Sequence, residues 1–172
     1  MKKIEKIALY SLLGFVVVLF PVWLILFSLA TQTHTISMPD TAFLYSNSYL
    51  ESLRTFYGET GIASYVWTHL TFDLAFPILY GFFLVVFIRK YAIKRPLLVI
   101  GTIFALLAVF FDWFENITVI LYLTTIFQYW HPFTWIFSPI TFLTMAKWLC
   151  LFAAIIILIV SIIQKRKAVS HA

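Results

Sequence analysis

The chain has 172 residues, of which 63% are hydrophobic, 20% aromatic and only 11% charged. A soluble domain of this size could not hide so much apolar surface from water, so composition excludes an ordinary soluble fold and points to one membrane domain. The net charge of +5 does not point to nucleic acid, because the basic residues sit at the ends of apolar runs, where membrane orientation accounts for them.

A helix needs roughly 20 residues to cross a hydrocarbon layer of about 30 Å. Four stretches qualify, at residues 7–30, 65–88, 97–123 and 140–163. Before the first lie Lys2, Lys3 and Lys6; between the second and third lie Arg89, Lys90, Lys94 and Arg95; after the fourth lie Lys165, Arg166 and Lys167. Ten of the twelve basic residues thus share one side. By the positive-inside rule that side is the cytoplasm, which predicts an all-α, integral membrane four-helix bundle in the plasma (inner) membrane with both termini inside. The first run also imitates a signal peptide, with Ser28-Leu29-Ala30 as its small-residue end, but it is longer than the usual apolar core of such a peptide and reads as an uncleaved span.

Two outer segments follow from this topology, residues 31–64 and 124–139. In the first, Pro39-Asp40 can open a helix, and Phe43, Leu50, Leu53 and Tyr57 recur at helical spacing before Gly58 and Gly61, which predicts a short surface helix. In the second, Trp130, His131, Pro132 and Trp135 read as an interfacial re-entry, and Ser138-Pro139 suits the start of the last helix. Tyr65, Trp67, Tyr122, Tyr129, Trp130 and Trp135 fit an outer aromatic belt. Cys150, the only cysteine, lies in an apolar run and offers neither an intrachain disulfide nor a metal motif.

The chemistry is concentrated in six polar residues inside the spans: His69, Asp73, Asp112, Glu115, Asn116 and Lys147. Such residues are costly in lipid and face the bundle interior. At about 1.5 Å per residue, Asp73 lies roughly 24 Å from Arg89, Asp112 roughly 26 Å from Arg95 and Lys147 roughly 27 Å from Lys165, with Glu115 and His69 slightly higher. One level is therefore expected, in the outer third of the membrane or at the rim of an outward cavity. His69, Asp73 and Tyr80 share a face of the second span, and Asp112, Glu115 and Asn116 share a face of the third that continues through Ala108, Ala105 and Gly101. Thr144, Lys147, Ala154 and Ser161 make a thin polar and small stripe on the fourth. Pro77 removes the helical bond to the carbonyl of Asp73, adding a free acceptor. With three carboxylates against Lys147 alone, the site would carry about minus two, which calls for a proton or a bound cation.

Plainer readings stand beside these. The cluster can be a hydrogen-bonded network that fixes helix register; His69 can simply bond to Asp73 or water; Lys147 can snorkel outward; Tyr80 can be a satisfied core tyrosine; and Asn116 can bond across helices. His34, His131 and His171 lack ligand spacing.

The string Gly58 to Tyr65, then Asp73-Leu74-Ala75-Phe76-Pro77 with Tyr80-Gly81, then Asp112-Trp113-Phe114-Glu115-Asn116, with Lys147 early in the fourth span, resembles a group of uncharacterised bacterial four-span membrane proteins. The resemblance covers most of residues 57–150 and implies no activity. The Arg expected after Gly61 is Ile62 here, so a basic partner for the acids is missing. A weaker likeness, carried by Asp73 and the apolar residues after it, is to the sigma-2 receptor and emopamil-binding family, and it bears on fold alone.

These readings rank a ligand-binding membrane protein first, with Asp73, Asp112, Glu115, Asn116, Lys147, His69 and Tyr80 around a lipid, an amphipathic cation or a metal ion. A structural accessory subunit comes second. Third comes an intramembrane enzyme in which carboxylates act as base and acid and His69 as ligand or proton shuttle; no nucleophile, phosphate-loop or zinc motif supports it, and no cofactor is indicated. Membrane lipid is the expected partner and nucleic acid is not, and a transporter with only four spans and no internal repeat would have to form a homo-oligomer.

Overall fold

The computed structural model describes residues 2–22, 24–25, 47–124 and 139–170, and all regular structure among them is helical. Helix α1 (Lys3–Val22) opens at the basic N-terminus and contains a π-helical turn, Phe15–Leu19. Helix α2 (Asn47–Thr68) leads through a second π-helical turn, His69–Asp73, into α3 (Leu74–Tyr91). Helices α4 (Arg95–Leu123) and α5 (Pro139–Ser170) complete the order among the described residues. Four stretches, Lys3–Val22, Gly61–Tyr91, Arg95–Leu123 and Ile140–Ser170, are long and apolar enough to cross a membrane.

Local chemistry sets these boundaries. α2 is sharply kinked at Gly58, whose φ of 61° and ψ of −175° belong to a region that is essentially glycine's alone. The spacing of Tyr57 and Gly58 predicted this break, and a helix does precede it from Asn47; Pro39-Asp40 and Phe43 lie outside the described residues. Only Ala92, Ile93 and Lys94 separate α3 from α4, a connection short enough to make the two antiparallel neighbours, and Pro96 sits in the first turn of α4, where its missing N–H costs nothing. α3 and α4 extend a few residues beyond the predicted spans on the basic side, and α5 continues past Lys165, Arg166 and Lys167 to Ser170, because Lys, Arg, Gln and Ala all favour helix once the apolar run has ended.

α4 packs most extensively on α5 and next on α3, whereas α1 packs mainly on α3. The small-residue face predicted on α4 is what brings these helices together. Gly101, Ala105 and Ala108 are buried, and a Cβ at Gly101 would fall 2.8 Å from Ile157 of α5 and 3.2 Å from Ile88 of α3. Ala154 and Ser161 of α5 are likewise fully buried.

The core has two apolar layers. One contains Tyr80, Leu84, Ile88, Ala105, Ala108, Cys150, Ala154 and Leu158. The other contains Tyr57, Tyr65, Val119, Leu123 and Ile140. On α4 the polar residues 112–116 fall between Ala108 and Val119, and on α5 Thr144 and Lys147 fall between Ile140 and Cys150. The polar cluster is therefore a layer sandwiched between two apolar ones. Tyr65, expected in an aromatic belt, is instead 1% exposed within the second apolar layer, whereas Trp67, two residues on, is 71% exposed. Tyr129, Trp130, His131 and Trp135 lie outside the described residues.

At the basic end a fastening appears that the sequence reading did not anticipate. Glu5, buried despite its charge, accepts hydrogen bonds from Lys90 Nζ at 2.5 Å and from the backbone N–H of Lys2 at 3.0 Å. Lys165 Nζ of α5 in turn donates to the carbonyl of Lys90 at 2.6 Å. The first, third and last helices are thus tied at one point, and the isolated acid among the N-terminal lysines was the signal for it.

Candidate functional site

The site begins with a backbone irregularity. Pro77 has no N–H to offer the carbonyl of Asp73, and the π-helical turn His69–Asp73 ends at that carbonyl. The side chains of α4 take up what this region exposes. Asn116 Nδ2 donates to the Asp73 carbonyl at 3.1 Å, and Trp113 Nε1 donates to the carbonyl of Leu74 at 3.0 Å. The acceptor freed by Pro77 was legible in the sequence. That Asn116 answers it, and that Trp113 joins in, was not.

Around this anchor the charged groups converge. Lys147 Nζ of α5 lies 2.5 Å from Glu115 Oε2 and 3.5 Å from Asp112 Oδ1. Tyr80 of α3 donates its hydroxyl to Asp112 Oδ2 at 2.9 Å, and Asn116 Nδ2 also reaches Asp112 Oδ1 at 3.3 Å. Thr144 Oγ1, only part of a stripe in the sequence reading, donates to Glu115 Oε1 at 2.5 Å and also approaches the carbonyl of Ile140 at 3.0 Å. Asp112, Glu115, Asn116, Lys147 and Tyr80 thus form one network over three helices. Tyr80 bonds across helices to Asp112, and Asn116 bonds across helices to the Asp73 carbonyl through Nδ2, as the plainer readings held. Lys147 does not snorkel outward; it is 5% exposed and ion-paired within the bundle.

Asp73 joins the network through its backbone, while its carboxylate turns to His69, with Oδ2 3.3 Å from Nδ1. His69 Nδ1 also lies 3.0 Å from the carbonyl of Tyr65, and the imidazole stacks on the Tyr65 ring at 3.8 Å between centroids. The carboxylates differ in access. The Asp73 side chain is 21% exposed, that of Asp112 12% and that of Glu115 0%.

Chemically the layer is rich in acceptors. Two of the three carboxylates, Asp112 and Glu115, share the Lys147 ammonium, and the third, Asp73, faces His69. The Asn116 amide orientation is fixed by the two acceptors that face Nδ2, and its Oδ1, on a side chain 1% exposed, receives no hydrogen bond from any described residue. Among the described residues no group of three or more His, Cys, Asp or Glu is arranged to hold a metal ion. No protein-family model, curated protein or solved structure matches this chain.

Proposed function

We propose that the chain is a multi-pass membrane protein of the plasma (bacterial inner) membrane, a single domain with both termini in the cytoplasm, that binds an amphipathic ligand through a hydrogen-bond-donating cationic head at Asp73 and Asn116. The topology is supported by the ten basic residues at one side of four apolar helices. The helix from Asn47 to the Gly58 kink then lies on the outer surface.

The observation that carries the ligand reading is the surplus of acceptors: a buried Asn116 Oδ1 that receives no hydrogen bond from any described residue, beside the Asp73, Asp112 and Glu115 carboxylates. An unmatched buried acceptor costs about 1–3 kcal/mol, so a donor arriving there is favoured. Asp73 is where a ligand gains entry, because it is the most accessible of the three carboxylates. A protonated amine supplies both charge and N–H groups.

The test is native mass spectrometry with lipid and metal analysis on gently extracted protein, comparing wild type with an Asp73→Asn, Asp112→Asn, Glu115→Gln variant. A bound amine-bearing species lost by a folded variant supports the reading; an empty wild type refutes it. A second reading, a register-fixing network in an accessory subunit, is favoured by the closure of the polar layer between two apolar ones. Its signature in the same experiment is an empty wild type and an unstable variant, or one missing a partner protein.

A further inference from the structure

The structure gathers three basic segments at one end of the bundle. Glu5, near the start of α1, bonds Lys90 at the end of α3, and Lys165 of α5 donates to the Lys90 carbonyl. Ten of the twelve basic residues stand in the segments so joined, residues 2–6, 89–95 and 165–167, with only one of the seven acids, Glu5. Lys90 is engaged by Glu5, and the Lys165 ammonium by the Lys90 carbonyl and by the Tyr91 ring, 5.6 Å from its centroid. Lys2, Lys3, Lys6, Arg89, Lys94 and Arg95 are exposed, and among the described residues no acid pairs with them. Exposed apolar residues interleave with these cations: Ile4 and Ile7 are each 51% exposed and Ile93 54%. A nucleic acid has no contact to make with such neighbours, whereas a phospholipid presents its phosphate at the edge of hydrocarbon.

We propose that the Glu5–Lys90 tie builds a cradle for the phosphate of an anionic phospholipid, with Lys2, Lys3 and Lys6 at the start of α1 on one side and Arg89, Lys94 and Arg95 of the α3–α4 connection on the other. Cations converging around one neutralised acid repel one another, and a headgroup phosphate between the two sets relieves that repulsion. Arg89 and Arg95 bring forked donors that match phosphate oxygens, while Ile4, Ile7 and Ile93 meet the acyl chains. The inference rests on the membrane-spanning reading and is independent of a cationic ligand at Asp73. Its distinguishing feature is the part played by the lone acid. Were the cations only a diffuse field, removing the Glu5 charge would make this end more positive and draw more anionic lipid. In a cradle, the same change loosens the tie between the two sides and draws less.

The experiment is native mass spectrometry of the full chain released from nanodiscs of equal phosphatidylglycerol and phosphatidylcholine, counting the lipids that each protein ion retains. A basic residue beside an anionic headgroup is worth about fivefold, so wild type should retain phosphatidylglycerol over phosphatidylcholine by about tenfold or more. Arg89→Gln with Lys94→Gln and Arg95→Gln should abolish the preference. Lys2→Gln with Lys3→Gln and Lys6→Gln should do the same, so a folding defect in one triple variant leaves the other to decide. Glu5→Gln should weaken the preference with helical circular dichroism unchanged. Equal retention of the two lipids by wild type, or a preference indifferent to both triple variants, overturns the proposal. A preference that strengthens in Glu5→Gln overturns the cradle in favour of a diffuse field. An oligonucleotide that displaces the retained phosphatidylglycerol overturns the choice of partner. A chain that does not enter nanodiscs overturns the membrane-spanning reading along with the cradle.

Discussion

Replacing Lys147 with Met removes the permanent cation of the polar layer while keeping an unbranched side chain of similar length. Glu115, with its side chain 0% exposed, then loses the ammonium 2.5 Å away, and Asp112 loses the same group at 3.5 Å. Leaving a buried charge uncompensated by deleting its partner costs about 3–5 kcal/mol. Thr144 and Tyr80 still donate to the two carboxylates, which places the expected loss near about 3 kcal/mol, the lower end of that range. Adding Glu115→Gln removes the most deeply buried anion and retains an oxygen for Thr144. The double variant should therefore recover to within about 1 kcal/mol of wild type, since a buried ion pair exchanged for neutral groups is often nearly neutral in stability. The assay is reversible unfolding in mixed micelles followed by helical circular dichroism, carried through the full cycle of single and double variants. A Lys147→Met loss under about 1 kcal/mol, or a double variant no better than the single, would show that Lys147 and Glu115 are not the coupled pair described.

Three further outcomes follow from the same geometry. Asn116→Ala strands the Asp73 carbonyl beside Pro77 and should cost about 1–3 kcal/mol in that unfolding assay, whereas Asn116→Gln at equal cost would mean that reach, and not the amide, matters. Gly101→Val drives a side chain into Ile157 and Ile88 and should destabilise by about 1–3 kcal/mol, while the same change at Gly14, where a Cβ meets nothing within 4 Å, should be tolerated. Glu5→Gln weakens the tie to Lys90, so hydrogen–deuterium exchange should rise across Lys3–Ala8 and stay unchanged around Ala105–Ala108; uniform protection would dismiss the fastening as incidental.

Much of the architecture was readable because helices long and apolar enough to cross a membrane leave long apolar runs, and because separations of three and four residues put Asp112, Glu115 and Asn116 on one face. The close approach at Gly101 and the orphaned carbonyl before Pro77 follow from side-chain size and a missing N–H, both properties of single residues. The π-helical turn His69–Asp73 was not readable, since one extra residue in a turn leaves no compositional mark. Tyr65 misled for a related reason: an aromatic near the end of a span has the same local sequence in a belt as in a buried layer, and only the ring contacts with Tyr57 and His69 separate the two. Partner choice was hidden in part. The four-residue spacing of His69 and Asp73 did allow their contact to be read, but depth counting placed Asp73 level with Lys147 and did not show that Lys147 pairs with Glu115.

The central claim, that the layer receives a hydrogen-bond-donating cation at Asp73, is tested most directly by comparing dodecylammonium with dodecyltrimethylammonium, which has the same tail and charge but no N–H. Their equilibrium binding to wild type and Asp73→Asn in nanodiscs can be followed by tryptophan fluorescence. The account predicts at least about tenfold tighter binding of the primary ammonium by wild type, the worth of one charge-assisted hydrogen bond, and loss of that preference in Asp73→Asn. Equal binding of the two cations, or a preference that survives Asp73→Asn, would contradict it.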